Sequence, residues 1–501
     1  MSNEVDEVIS AIYRSAYVEL RLITRCIKTP FPLTTMNSAN DWIEFWYQHL
    51  PAGARVVIEE HNGKKVSGDQ IWRASAVLLA KLRKKGCSNG TVVTTTNSGV
   101  RLLRDLLATA LCGAILKPGT PRPVGREFQM EEHPALLIQQ DSVTGPAIHN
   151  DPGYPPDTVL LLYTSGSSTG RPSLIPLTGR GLIAQLVNHG AVFSNDWERT
   201  RLSILPQHHA FGLILDLLLG VYLRQRVLLG SNELSRSPNE LLRTISEKRV
   251  QVVALVPRVL ELLERKLRQQ PPSLGIMADL HIHTGGAPVR PQLQQELTGK
   301  IRKLTIGYGL TEAGPGVMID GVPIGCEVKV VEQTSEALVT PKTTPPPHDG
   351  ILWVRGPSLS PALATDSEGY YCTNDLAVCH DQGIEVIGRA GPAIKDANGR
   401  WVSLSCLEHE LLKFTDVMGA KVYADAATLK VIILTNRISQ AQPELCQIIE
   451  QALEKRMTRA TQVHCHPFTS EKEAELAASN SKGFEALLIL PEGLKLPLIC
   501  E

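Results

Sequence analysis

Between Thr91 and Ile306 short apolar runs alternate with stretches of helical periodicity, and this alternation limits the possible folds more than any other property of the chain. Thr91 to Thr96 reads as a strand, Val100 to Cys112 as a helix and Ala114 to Lys117 as a strand. After a Ser/Gly-rich interruption the series resumes. A helix from Gly181, strand Leu202 to Leu205, helix from Phe211, strand Arg226 to Leu229 and helix Asn239 to Lys248 come first. Strand Val250 to Val256, helix Arg258 to Arg268, strand Leu280 to His283, helix Pro291 to Ile301 and strand Lys303 to Ile306 follow. Strands separated by helical crossovers pair in parallel, so the expected class is α/β with open, doubly wound sheets. Ligands of such sheets sit beyond the carboxyl ends of the strands. Two loops fall at such ends, Thr284-Gly285-Gly286-Ala287-Pro288 and Gly307-Tyr308-Gly309-Leu310-Thr311-Glu312.

The flanks read differently. Val5 to Ile27 and Asp41 to Leu50 have the spacing of amphipathic helices, and a strand pair is expected on either side of Asn62-Gly63. Ser67 and Gln70 form a capping box ahead of a helix whose buried face carries Ile71, Leu78 and Leu82. From Val328 the helices give way to short β runs at Glu327 to Val331, Ile351 to Arg355, Leu376 to His380 and Glu385 to Ile387, with Thr340 to Pro347 as a Pro/Thr-rich loop. A last α/β stretch runs to about Leu476. The expected plan is a helical extension over 1–40, a large domain over 41–388 that contains a β subdomain at 325–388, and a small mobile α+β domain over 389–501.

Composition removes several function classes. With 501 residues the chain exceeds one hydrophobic core. Lys plus Arg equals Asp plus Glu, 51 against 51, so no global field favours nucleic acid or an anionic membrane. A small molecule or a protein is the default partner. Ten cysteines are scattered without a C-x-x-C pair, as in a reduced, cytoplasmic protein. Glu4, Asp6 and Glu7 argue against a signal peptide, and Phe211 to Leu223, interrupted by Asp216, is too short for the ~20 residues of a membrane span. It reads as a core helix.

The chemistry concentrates at the interruption in the β/α series. Val159 to Tyr163 is a strand buried on both faces, Ser173 to Thr178 is a second strand, and T-S-G-S-S-T-G-R-P lies between them. Gly166 and Gly170 let a ligand approach the backbone, while Thr164, Ser165, Ser167, Ser168 and Thr169 set hydroxyls beside successive N–H groups. That donor set suits phosphate oxygens. It is not a Walker A loop, because Arg171 and Pro172 follow the second Gly and a strand replaces the helix.

Five motifs then stand in one order: the loop Y-T-S-G-S-S-T-G-R-P; L-P-Q-H-H-A-F-G-L at Leu205 to Leu213; G-G-A-P; Y-G-L-T-E; and T-N-D at Thr373 to Asp375 with G-R-A-G-P-A-I-K from Gly388. Over roughly Asp41 to Leu476 the chain resembles the adenylate-forming superfamily of acyl-CoA synthetases, nonribosomal-peptide adenylation domains and luciferase. The resemblance implies ATP-dependent conversion of a carboxylic acid to acyl-AMP with release of pyrophosphate, then transfer to a thiol of CoA or of a phosphopantetheine-bearing carrier protein. It implies that Thr164, Ser165, Gly166, Ser167, Ser168, Thr169 and Gly170 close over the β- and γ-phosphates. Thr311 would bond the α-phosphate and Glu312 would hold Mg²⁺. Gly286, Ala287, Pro288 and Tyr308 would flank the adenine, and Asp375 and Arg389 would hold the ribose hydroxyls. His209 would line the acid pocket, Gly391 would be the hinge, and Lys472 would bridge carboxylate and ATP.

The chain departs from the family at several points. Ser173 stands where the family has a loop Lys, Asn374 where it has the Gly of T-G-D, Leu352 where it has a Glu, and Gly391 where the hinge is Asp or Lys. The C-terminal P-x-T-x-x-G-K lacks its Gly here, which leaves Lys495 as the alternative to Lys472. Three functions therefore stay open: the acid–thiol ligase, an enzyme making an amide or β-lactone from the same adenylate, and a nucleotide-binding scaffold without catalysis.

Overall fold

Strands form where β-branched and leucine-rich runs can be covered, and in this chain most are covered on both faces. The computed structural model describes residues 39–50, 56–119, 147–150, 153–155, 157–164, 172–231, 233–269, 277–331, 338–339, 348–390, 393–395, 401–414, 416–424, 428–435, 442–457 and 460–467. Two compact units result. One draws on Met1–Gly230, Leu310–Gly316 and Gly356–Ala364, the other on Ser231–Gly309, Val317–Arg355 and Thr365–Glu501.

In the first unit Thr91–Thr95, Ile115–Pro118 and Thr158–Tyr163 are parallel neighbours, edged by the antiparallel strands Ala147–Asn150 and Leu174–Thr178. Val93, Leu116, Leu160, Leu161 and Leu162 are fully buried, which is why these runs show no polar alternation. The crossover helix Gly99–Cys112 ends at Gly113, whose φ of 72° is the left-handed conformation that glycine adopts without strain. The capping box forms as read: Ser67 Oγ accepts from the Gln70 amide at 3.4 Å and Gln70 Oε1 from the Ser67 amide at 2.9 Å. Helix Gly68–Lys84 then buries Ile71, Leu78 and Leu82. A second set of strands runs Lys65–Ser67, Val56–Glu59, Arg226–Leu229, Thr200–Ser203; the first pair is the expected hairpin across Asn62-Gly63 and the others are parallel. Helix Ala39–His49 buries Trp42, Phe45 and Trp46, with Phe45 stacked on Tyr222 at 5.3 Å.

One expectation in this unit is corrected. The helix from Phe211 is a π-helix over Phe211–Leu218, which becomes α-helical only at Leu219–Tyr222. Gly212 has no side chain to collide with the Pro206 carbonyl it sits on. Asp216 turns into the core, where Arg201 Nη1 lies 3.2 Å and Ser203 Oγ 2.8 Å from its oxygens. A periodicity count cannot tell the two helix types apart when every residue in the run is apolar except this one.

In the second unit Val252–Leu255, His281–Gly285 and Lys303–Gly309 are parallel and in register, followed by the hairpin of Gly316–Ile319 and Val322–Pro323. Helices Pro238–Lys248, Pro257–Gln269 and Pro291–Leu297 each open on proline, whose fixed φ and missing N–H cost nothing at a helix start. A five-stranded antiparallel sheet comes next, ordered Leu338–Val339, Glu327–Val331, His348–Arg355, Tyr371–His380, Gly383–Arg389. Beyond it, Val417–Ala424, Thr428–Thr435 and Ala460–Pro467 form a three-stranded sheet. Its Val422, Val431 and Val463 share a core with Leu407 and Leu411 of helix Leu404–Leu411 and with Ile449 and Leu453 of helix Gln442–Met457. Cys446 on that last helix is disulfide-bonded, which departs from the expectation that all ten thiols are reduced. Among the described residues no helix is long and apolar enough to cross a membrane.

Candidate functional site

In the second unit the antiparallel register of Tyr371–His380 and Gly383–Arg389 sets Asp375 directly opposite Arg389. Arg389 Nε lies 2.8 Å from Asp375 Oδ1, and the Tyr308 hydroxyl donates to Oδ2 at 2.5 Å. Thr373 fixes the backbone behind the carboxylate: its hydroxyl donates to the Leu352 carbonyl at 2.7 Å and accepts from the Asp375 amide at 3.0 Å. Asp375 is only 5% exposed, while the Arg389 side chain is 45% exposed. Burial pushes the Asp375 carboxyl above the usual range, against the Tyr308 hydrogen bond and the Arg389 charge, which pull it down. Burial and the neighbouring carboxylate raise the Tyr308 phenol, so it stays a protonated donor. Each carboxylate oxygen has two lone pairs and, among the described residues, one donor, which leaves one acceptor position on each for a vicinal diol.

Asn374, beside this carboxylate, has φ of 57°, and its carbonyl accepts from the Ala390 amide at 2.8 Å. Asparagine is among the few side chains that tolerate this conformation. The loop expected at Gly307 to Glu312 is corrected: Gly307, Tyr308 and Gly309 continue strand Lys303–Gly309. The extension is secured by Asp320, whose Oδ1 accepts from the Ile306 amide at 2.8 Å while its own amide donates to the Ile306 carbonyl at 2.8 Å. Gly285 pairs with Gly307 so closely that a Cβ would lie 2.5 Å from the Gly307 carbonyl oxygen. Thr284 and Gly285, read as loop, likewise belong to strand His281–Gly285. Gly286, with φ of 82°, turns the chain at the strand end, and Gly286, Ala287 and Pro288 are exposed there. The second unit thus holds the loop 286–288 and Tyr308 at the carboxyl ends of adjacent parallel strands, with Tyr308 bonded to the Asp375–Arg389 pair.

In the first unit Thr164 ends strand Thr158–Tyr163 and closes the base of a hairpin. Its amide donates to the Ser173 carbonyl at 2.8 Å, and its hydroxyl accepts from the Ser173 amide at 3.0 Å. Ser165, Gly166, Ser167, Ser168, Thr169, Gly170 and Arg171 lie outside the described residues, as do Gly391, Lys472 and Lys495. Thr311 and Glu312 lie on the 3₁₀ turn Thr311–Ala313, and the Glu312 carbonyl accepts from the Ser360 amide at 2.9 Å. Both side chains are half-buried. The Glu312 carboxylate is a hard oxygen donor, the ligand type that Mg²⁺ takes.

His209 follows strand Thr200–Ser203 and is exposed, with its ring 4.2 Å from that of His208. The protein packed around His209 lowers its affinity for a proton. His208 is pushed down to about 4 by burial and by His209. Both imidazoles are therefore neutral at pH 7. The roles of Thr373 and Ser360 carry no local signal in the sequence, because the carbonyls they hold belong to residues 352 and 312, far along the chain.

The family described as AMP-binding enzyme matches residues 52–363. Peroxisomal OPC-8:0-CoA ligase 1 of Arabidopsis thaliana is 28% identical over 465 residues, which cover 79% of this chain and 83% of the relative. 4-Coumarate–CoA ligase-like 8 of the same plant is 27% identical over 302 residues, 56% of this chain and 53% of the relative. The matched part thus spans only about half the length of that relative. Among solved structures, ATP-bound MatB from Rhodopseudomonas palustris superposes with a TM-score of 0.68 at 16% identity, over 86% of this chain and 95% of that one. At such identity the likeness establishes the fold alone.

Proposed function

Because the chain belongs to the AMP-binding enzyme family, we propose that it uses ATP to convert a carboxylic acid to acyl-AMP, releasing pyrophosphate, and then hands the acyl group to a thiol of CoA or of a carrier protein. The observation that carries this reading is the Asp375 carboxylate, buried, held by Tyr308 and Arg389, and left with one acceptor position per oxygen. A ribose offers two adjacent hydroxyls with that spacing of donors. Gly286, Ala287 and Pro288, with Tyr308, provide small residues and an aromatic face for the adenine.

In this scheme the T-S-G-S-S-T-G loop, Thr164 to Gly170, wraps the β- and γ-phosphates, and Thr311 donates to the α-phosphate. Glu312 would hold Mg²⁺, which when bound would supply positive charge between the acid carboxylate and the α-phosphate. His209 is neutral in the acid pocket and neither repels a cation nor neutralises the incoming carboxylate. Residues 389–501 form the mobile domain, hinged at Gly391, that delivers Lys472 to the reacting oxygens. Gly388 and Arg389 make a defined start to such a hinge. The Arg389 carbonyl accepts from Ser403 Oγ at 3.2 Å and Ser405 Oγ at 2.5 Å, and a side chain at Gly388 (φ 152°) would strike Ser405.

ATP–pyrophosphate exchange measured across a panel of aliphatic and aryl carboxylic acids tests the proposal. Acid-dependent exchange supports it, and addition of CoA or of a phosphopantetheinylated carrier to the responding acid then distinguishes the acceptor. Nucleotide binding without exchange for any acid would refute catalysis and leave a scaffold.

A further inference from the structure

We infer that Gln185, a residue of helix Gly179–Val192, is a positioning residue that clamps the turn carrying Thr311 and Glu312; the inference rests on the activity proposed above. The turn's own bonds, from the Ala313 amide to the Leu310 carbonyl at 3.0 Å and from the Gly314 amide to the Thr311 carbonyl at 3.1 Å, do not secure its exit. Gly314 sits at φ of 75°, the next residue is Pro315, which has no N–H, and the carbonyls of Ala313 and Gly316 must find donors while buried. Gln185 supplies them. Its side-chain nitrogen donates to the Ala313 carbonyl at 3.0 Å and to the Gly316 carbonyl at 2.8 Å, while its oxygen accepts from the Gly316 amide at 3.0 Å. One primary amide thereby spends both N–H groups and one lone pair on three backbone groups at once.

The clamp is itself rigid. Gln185 is 3% exposed, and its backbone carbonyl bonds Nδ1 of His189, one turn later, at 2.9 Å. His189 fills the space against Gly316, where any Cβ would collide with the imidazole. On the other side of the turn the Ser360 amide holds the Glu312 carbonyl. The backbone of Glu312 is thus anchored at its own carbonyl and again one and four residues away, at Ala313 and Gly316. Its carboxylate, by contrast, stays free of ion pairs among the described residues. A metal ligand held on a fixed backbone with an uncommitted head is the arrangement that favours a defined cation geometry over a merely attractive charge.

The experiment combines amide hydrogen exchange with magnesium titration on the full chain. In the wild type the Gly316 amide should exchange as slowly as the amides of helix Gly179–Val192. Exchange at the rate of an open loop would overturn the clamp without any variant. In Gln185→Met, which keeps length and loses all three bonds, Gly316 exchange should accelerate at least ~10-fold, the scale of one lost buried hydrogen bond. The Mg²⁺ concentration for half-maximal binding of ATP, read by calorimetry, should rise by a similar factor, with KM for the acid unchanged. Gln185→Glu keeps the acceptor for Gly316 and removes both donors, so Gly316 protection should fall less than in Gln185→Met; if Gln185→Met does not fold, this variant and the wild-type measurement decide. Unaltered magnesium dependence in a variant whose turn has loosened would refute the positioning role. A wild type that shows no pyrophosphate exchange with any acid refutes the proposed activity instead, and leaves the hydrogen-exchange result to decide the clamp.

Discussion

Asp375→Asn should strengthen the fold at neutral pH and weaken nucleotide binding, two effects that a merely structural carboxylate would not separate. Burial raises the Asp375 pKa above its ordinary unfolded value, so the folded chain holds this proton more tightly than the unfolded chain. The sign follows from linkage: stability associated with the protonated carboxyl is fully present below the unfolded value, about 3.9, and is lost as pH rises through the folded value. Asparagine does not titrate. The difference in unfolding free energy between variant and wild type must therefore grow in favour of the variant as pH rises from about 4 through that window. Arg389 offsets little, because its side chain is half in solvent and the pair is screened. The binding side has a different magnitude. If each ribose hydroxyl donates to the carboxylate, replacing an ionised acceptor by a neutral one costs about 1 to 1.5 kcal/mol per bond, or about 30- to 150-fold in ATP affinity for two. Thermal unfolding at pH 4.5, 6 and 7.5 reads the first effect, and calorimetric ATP titration reads the second. A stability difference that is flat or shrinks with pH refutes the burial argument, and unchanged ATP affinity refutes the ribose assignment.

Glu312→Gln should leave the unfolding temperature unchanged and abolish magnesium-dependent pyrophosphate exchange, since it exchanges a charged cation ligand for a neutral one of the same shape; exchange at the wild-type rate would remove Glu312 from the metal site. His189 is buried and its pKa is lowered to about 4, so neutral His189 stabilises the fold above pH 6.5 and that contribution, about 3 kcal/mol, is lost as pH falls from 6.5 to 4. His189→Leu should show a shallower acid limb in chemical denaturation, and an identical limb would show that other groups dominate. Lys472→Ala should cut acid activation by at least ~10²-fold while thiol transfer from prepared acyl-AMP survives, and Lys495→Ala should leave both half-reactions intact; the reverse pattern would move the catalytic lysine to position 495.

The order of strands and helices was legible because short continuous apolar runs alternate with stretches of period 3.6 from Thr91 to Ile306, as expected where buried parallel strands are covered on both faces. Legibility failed where two structures satisfy one pattern. The run from Phe211 is apolar except for Asp216, so its periodicity gives a core helix without distinguishing a π-helix from an α-helix, and the structure has a π-helix over Phe211–Leu218. The segment with Tyr308 reads as a loop at a strand end, yet it continues strand Lys303–Gly309, and the close approach there requires glycine at 285, where a Cβ would lie 2.5 Å from the Gly307 carbonyl oxygen.

The residues that would touch ATP differ in kind from those that hold them, and this decides what a motif can reveal. Asp375, Arg389 and Glu312 are chemically distinctive and sit in short recognisable strings. Gln185 is an ordinary polar residue in a helix, and its partners are 128 and 131 residues away, so no local pattern could single it out. Asn374 shows the same division from the other side. As a departure from glycine it invites the reading that the nucleotide site has decayed, but its φ of 57° is one that asparagine can adopt, and the carboxylate beside it keeps both protein donors. A motif position that demands a backbone conformation can change its side chain without loss; a position that demands a charge cannot. By that criterion Asn374 is a neutral replacement, whereas Ser173 and Leu352, which stand where the resemblance calls for Lys and for Glu, are the departures that a pyrophosphate-exchange measurement would test.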